Sequence, residues 1–229
     1  MTTCGQFCPV SKAAEILFEK WTILILRELL MGSSRFSDLQ RGISRISPTL
    51  LTKRLKTLEE NGVLVRKKIS GQRGYEYFLT PAGKELKPLL EHVAIWGMRW
   101  ARGQMSDDEL DVELLMREIQ RRLQTDKLPG GETVILFNFT DENLLQYKKW
   151  WVWITGDDVD LCTEDPGKDV ALYIVTDVRT MIEVWQGDKG IEKCIRDNSI
   201  QAHGTRSLIT TMPDWIGLSL YAGISAANK

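Results

Sequence analysis

Four cysteines and two histidines are the side chains best suited to covalent or metal chemistry in this 229-residue sequence: Cys4, Cys8, Cys162, Cys194, His92 and His203. Cys8 precedes Pro9 at an expected helix start, where the helix dipole and free N–H groups favour a thiolate. That makes Cys8 a candidate redox sensor, with Cys4 available in sequence to resolve its oxidised form; the alternative is a small capping residue without chemistry. Cys162 and Cys194 are expected to be inert. Neither histidine has a partner pattern, so His92 reads as a helix-surface or interface residue and His203 as a strand-end residue. No Gly-x-Ser-x-Gly, His-Glu-x-x-His, P-loop or Gly-x-Gly-x-x-Gly pattern occurs, and Cys4 and Cys8 lack the second pair of a structural zinc site. No enzyme, no metal and no cofactor is therefore expected. Scattered cysteines fit a reducing compartment. The N-terminus lacks a basic-then-apolar signal and no apolar run is long enough to span a bilayer, so the expectation is a cytoplasmic protein with no membrane partner.

A second constellation points to recognition rather than reaction. From Pro48 a helix at about 100° per residue gathers Leu50, Leu51, Leu55 and Leu58 on one side. Thr49, Thr52, Lys53 and Lys56 fall opposite. Ser47 caps that helix ahead of Pro48, and short hydroxyls, free N–H groups and lysines at a helix start suit a DNA major groove. Arg54 lies at the boundary of the leucine side and suits bracing the backbone better than reading a base. Beyond the helix, Arg66, Lys67, Lys68, Gln72 and Arg73 form a basic, glycine-bounded hairpin where a wing would lie on phosphates. Any surface helix can show such a face; the preceding short helix and turn, and the following hairpin, are what make it specific. The charge map agrees: residues 1–105 hold 17 Lys+Arg against 9 Asp+Glu, and residues 106–229 hold 13 against 22. Nucleic acid is a plausible partner for the first part only.

The elements that must hold these residues can be read from capping and period. Cys8-Pro9, Ser47-Pro48 and Thr80-Pro81 each place a capping residue before a first-turn proline. Helices are expected over residues 13–18 and 21–31, a short one over 36–42 ended by Gly42, and one from Pro48 to about Asn61 stopped by Gly62. Strand-rich runs 63–69 and 75–79 flank the tip 70–74. Leu86, Leu89, Leu90, Val93, Trp96, Gly97 and Trp100 then recur at helical steps. After a polar stretch and a helix over about 109–123, the pattern becomes α+β. Strands are expected near 133–139, 149–154 and 170–176, and helices near 178–186 and 191–197.

In order, Cys8-Pro9-Val10, Lys20-Trp21-Thr22 through Glu28-Leu29, Arg35-Phe36-Ser37-Asp38-Leu39, Ile46-Ser47-Pro48-Thr49-Leu50-Leu51, Arg54 through Gly62, Tyr75-Glu76-Tyr77 and Leu79-Thr80-Pro81-Ala82-Gly83 resemble the HxlR-type regulators, winged-helix relatives of the MarR group. The likeness covers about residues 7–101. It implies a homodimer on a roughly palindromic operator, with Pro48, Thr49, Thr52 and Lys53 in the groove of double-stranded DNA. It further implies that terminal helices, including the 86–100 stripe, form the dimer interface, and that Cys8 occupies a position at which family members sense oxidants.

In the second half, residues 177–188, 191–200 and Ala202-His203-Gly204 resemble the end of a sterol-carrier-protein-type domain. The likeness covers about residues 130–222 and implies an α+β layer able to enclose a small apolar or aromatic effector. Trp151 and Trp153 fall on one strand face by period two, Trp150 on the other, and Trp185 and Trp215 are expected near the same core as the first pair. These four are the candidate pocket; the alternative is that they only fill a core. Arg179 and Arg206 are candidate partners for a ligand carboxylate. The expectation is thus a mostly-α winged helix-turn-helix domain over residues 1–105, a helical linker over 106–129 and a sterol-carrier-like α+β domain over 130–229. The function expected is that of a transcriptional regulator. The competing reading is a small-molecule or lipid carrier whose winged helix makes protein contacts.

Overall fold

In the computed structural model, residues 5–102, 105–144 and 147–227 are described; Cys4 lies outside them. The chain opens with α1 (Pro9–Leu17), α2 (Thr22–Leu30), α3 (Phe36–Gly42) and α4 (Pro48–Glu60). Next come the antiparallel strands β1 (Leu64–Lys68) and β2 (Tyr75–Leu79), with Leu64 opposite Leu79 and Lys68 opposite Tyr75. The helices α5 (Pro81–Lys84) and α6 (Lys87–Trp100) complete this part. The chain divides into two compact units after Ile95, inside α6. All three proline-led starts form. Ser47 Oγ accepts the Leu50 N–H at 3.3 Å and Thr80 Oγ1 accepts the Gly83 N–H at 3.2 Å, whereas Cys8 holds the same place without a side-chain bond.

The first core joins Ile25 and Leu26 of α2, Leu39 of α3, Leu51, Leu55 and Leu58 of α4, and Leu64 of β1. Burying each such leucine is worth about 1.5–3 kcal/mol, which fixes the rotation of α4 and hence what it presents outward. Gly62, at φ +70°, reverses the chain into the hairpin. Gly42 ends α3, as expected, and has a second task. A Cβ there would lie 2.2 Å from Oε2 of the buried Glu28, so Gly42 lets α3 close on a carboxylate that Ser33 Oγ and Arg27 also bond.

The second unit contains α7 (Val112–Arg122), β3 (Glu132–Phe139), β4 (Lys149–Thr155), β5 (Asp158–Cys162), β6 (Leu172–Thr176), α8 (Val178–Trp185), α9 (Ile191–Arg196), β7 (Ile200–Gly204), α10 (Arg206–Thr210) and α11 (Met212–Trp215). Its five strands run in the order β5-β4-β3-β6-β7, with β3 and β6 parallel and the other neighbours antiparallel. Alternation along β3 sends Ile135, Phe137 and Phe139 to one face. There they meet Met116 and Ile119 of α7, Met181 and Val184 of α8, Cys194 of α9, and Leu208, Met212 and Trp215 beyond β7. Val134 and Leu136 join Trp151 in a separate cluster. Residues 106–129, expected as a helical linker with a helix near 109–123, do carry that helix as α7, and its Val112, Leu115, Met116 and Ile119 are part of this core. Their spacing of three, four and seven is that of a helix with a face to bury.

Candidate nucleic-acid interface

The burial of Leu51, Leu55 and Leu58 leaves Ser47, Pro48, Thr49, Thr52, Lys53 and Lys56 exposed on one side of α4. Thr52 Oγ1 donates to the Pro48 carbonyl at 2.9 Å, keeping a hydroxyl at the helix start. Lys56 lies 3.6 Å from Glu60 in an exposed pair that solvent screens. The site residues of the hairpin, Lys67, Lys68, Gln72 and Arg73, are all exposed; the Lys67 ammonium sits 5.3 Å from the Phe78 ring centroid. Gly71 and Gly74 take φ +71° and +122°, and the Ile69 N–H donates to the Gly74 carbonyl to close the tip. The structure therefore presents two adjoining basic elements, a capped helix start and a hairpin, on the same unit.

Arg54 is a correction to the expected interface. Its side chain is only 12% exposed, its guanidinium pairs with Glu19, and its Nε donates to the Lys20 carbonyl at 3.2 Å. It ties α4 to the junction of α1 and α2 and does not point outward for a phosphate. That junction carries Trp21 at φ +80°, a left-handed conformation uncommon for a bulky residue, with the Lys20 ammonium 5.1 Å from its ring centroid. Sequence position alone places Arg54 at a boundary; only the fold shows which way it turns.

Several contacts that seat the hairpin carry no clear sequence signal. The Tyr77 N–H donates to the Ser34 carbonyl at 2.8 Å, and Arg35 forms an isolated antiparallel bridge with Glu76. On the α4 side, Arg66 Nε lies 3.2 Å from Glu59 Oε2, and its guanidinium sits 4.8 Å from the Tyr75 ring centroid. Burial pushes the Tyr77 hydroxyl above the ordinary phenol value, the Arg66 cation pulling the other way.

The helical stripe is exposed only in part: Leu86 and Leu90 are half-buried against the first core. No residue of α6 is buried, and Val93, Trp96 and Trp100 are 43%, 61% and 44% exposed. His92 Nδ1 lies 2.7 Å from the Pro88 carbonyl on the helix surface. Cys8 is half-buried at the N-cap of α1. Cys194 is buried in the second core, and burial, with Asp160 alongside, raises the Cys162 thiol above its usual value.

The candidate pocket does not assemble as expected. Trp151 and Trp153 share a face with Val134 and Leu136, but Trp185 and Trp215 pack with Trp150 on the helix-covered face. The sheet separates the two pairs, because period two sends Trp150 to the opposite side from Trp151. Trp215 is fully buried and its Nε1 donates to the Leu208 carbonyl at 2.9 Å. Trp153 Nε1 donates to Glu132, whose carboxyl is held below its ordinary value mainly by Lys168, itself 2.9 Å away. Arg179 is likewise engaged, with Asp107 at 2.6 Å, and is not free for a ligand carboxylate. Among the described residues, no group of three His, Cys, Asp or Glu side chains could hold a metal ion, and no helix is long and apolar enough to cross a membrane.

A capped helix after a short helix and turn, followed by an anchored basic hairpin, defines a winged helix-turn-helix unit. The model of the HxlR-like helix-turn-helix family matches residues 16–105. The uncharacterized HTH-type transcriptional regulator YvaP of Bacillus subtilis is 39% identical over 98 residues, which are 42% of this chain and 91% of YvaP. The corresponding regulator sll1512 of Synechocystis is 35% identical over 97 residues, 42% of this chain and 72% of its own length. Among solved structures, the redox regulator HypR in its reduced form is 27% identical, covers 39% of this chain and 90% of its own, and gives a TM-score of 0.38. The chain belongs to the HxlR-like helix-turn-helix family of transcriptional regulators. The family match ends at residue 105, so the region from α7 to α11 lies outside it.

Proposed function

We propose that this protein regulates transcription by placing α4 in the major groove of double-stranded DNA, with the β1–β2 hairpin on the adjoining phosphates. The observation that carries the reading is the outward side of α4. Ser47, Pro48, Thr49, Thr52, Lys53 and Lys56 stand clear of the core beside Lys67, Lys68, Gln72 and Arg73. Family membership supports DNA as the partner. The exposed apolar residues of α6, Leu89, Val93, Trp96 and Trp100, support a homodimer, since a partner surface would cover them. A two-fold dimer reads a roughly palindromic operator. Residues 1–105 then form the DNA-binding and dimerisation part.

Two forms of control are proposed for it. The position of Cys8 before Pro9 at the N-cap of α1 supports a thiol switch. The second unit reads as an effector domain of sterol-carrier type, supported by the succession β6, α8, α9 and β7. Enrichment of duplexes from a random pool tests the main reading. The expected result is a two-fold symmetric motif; recovery of no preferred sequence at low salt would contradict it. Diamide treatment should change the affinity of the native chain and leave Cys8→Ser unaffected.

A further inference from the structure

The hairpin is seated unevenly. Its outer strand β2 is fixed by backbone, through the Tyr77 N–H on the Ser34 carbonyl and the Arg35–Glu76 bridge. Between β1 and α4, by contrast, lies an open groove of about 440 Å³ with Leu55 and Tyr77 among its lining residues. Leu64, at the start of β1, packs with Leu55 and Leu58 in the first core, but beyond it no residue of β1 is buried, so along the groove apolar packing does not set the spacing of hairpin and helix. One ion pair crosses it: Arg66 of β1 to Glu59 of α4, at 3.2 Å, with side chains 50% and 32% exposed. The other pair in the groove, Lys56–Glu60, runs along α4 and spans nothing. Arg66 is itself held in place by the Tyr75 ring, 4.8 Å from its guanidinium carbon.

We infer that Glu59 is a positioning residue for DNA binding: through Arg66 it sets the angle of the hairpin against the reading helix. This rests on the DNA-binding reading above. An exposed pair adds little to stability, but it acts here at the base of a lever. A five-residue strand is roughly 17 Å long, so a swing of about 10° moves the tip by about 3 Å, enough to break a hydrogen bond to phosphate. Gln72 and Arg73 are at that tip. Glu59 should therefore strengthen DNA binding although it is an acid beside a basic surface, where electrostatics alone would have it weaken binding.

The opposed signs give the test. The probe is a duplex enriched by the native full-length chain, and its affinity is compared across Glu59→Gln, Glu60→Gln and the exchange Glu59→Arg/Arg66→Glu. Glu59→Gln is expected to bind about fivefold more weakly, with its thermal midpoint nearly unchanged. The exchange is expected to recover most of that loss. Glu60→Gln, which removes the same charge one residue along, should bind as tightly as the native chain or tighter. Native-like or tighter binding by Glu59→Gln would overturn the inference, as would an exchange no better than Glu59→Gln. Amide exchange over residues 64–79 adds a readout that needs no DNA. It should quicken in Glu59→Gln, and unchanged protection there would also overturn the inference. If the native chain enriches no duplex, the DNA reading fails and amide exchange alone decides the role of Glu59 in seating the hairpin.

Discussion

The winged-helix part with α6 and the sheet unit that follows it spend their aromatic and charged residues in opposite ways. The first turns leucines inward and leaves Trp96, Trp100, Val93 and a row of lysines outside. The second takes Trp150, Trp151 and Trp215 into its interior and carries the acidic excess of the chain. Exposed cations and exposed apolar side chains are the features that suit a surface to contact with a partner. An interior filled with tryptophan on both sides of a sheet is built first to hold itself together. On the proposed reading, recognition falls to the first part and control to the second, and the difference between them is what the following variants test.

The largest expected effect would expose the sheet unit as the self-sufficient one. Trp215→Ala removes a fully buried indole and its bond to Leu208 and should cost about 3–5 kcal/mol. Chemical denaturation should show the loss in the transition that quenches the buried tryptophans of residues 112–216. A change below about 1 kcal/mol would mean that the core tolerates a hole there, and the ligand reading would gain. Next, Val93→Asp with Trp96→Asp should weaken a homodimer about a hundredfold, read as a halved mass in sedimentation at micromolar protein. An unchanged mass would remove α6 from the interface. Arg54→Met separates bracing from contact. Because Arg54 is bonded to Glu19 and the Lys20 carbonyl, DNA affinity should fall about tenfold with the same dependence on salt. A reduced salt slope would return Arg54 to the phosphates. The smallest effect is alkaline. Burial holds the Tyr77 proton more tightly in the folded chain than in the unfolded one. That contribution is complete below the ordinary phenol range and is lost as pH rises through the raised folded value. Tyr77→Phe should flatten the decline in thermal midpoint on the alkaline side, and an identical decline would show that Tyr77 does not titrate in place.

How much of this is legible in the sequence differs between the two parts for physical reasons. In the first, proline-led caps and a helical leucine phase are local signals, so the start of α4, its outward residues and both hairpin strands can be read directly. Direction in three dimensions cannot. Arg54 turns inward to a corner more than thirty residues away in sequence, and Gly42, besides ending α3, makes room for Glu28. The Glu59–Arg66 pair leaves no trace because each residue alone looks like a solvated surface charge. In the sheet unit, strand period two correctly separates Trp150 from Trp151, but the sequence carries no sign of which sheet face the helices will cover. The expectation for Trp185 and Trp215 therefore gives them the wrong partners. The edge strand β5 does leave a trace. Gly156-Asp157 between two extended runs is a two-residue hairpin turn, with Gly156 at φ +62°; its neighbouring acids hide the strand. The helix α7 is likewise visible as an apolar stripe, but the change of charge balance there makes it look like part of a linker.

The central claim is that α4 meets DNA through its outward lysines, and a salt titration tests it most directly. Affinity for the enriched duplex is measured across a range of salt for the native chain and for Lys53→Ala/Lys56→Ala. The account predicts weaker binding and a log–log slope shallower by about two, with the fold unchanged because both side chains are exposed. An affinity and a slope equal to those of the native chain would contradict it.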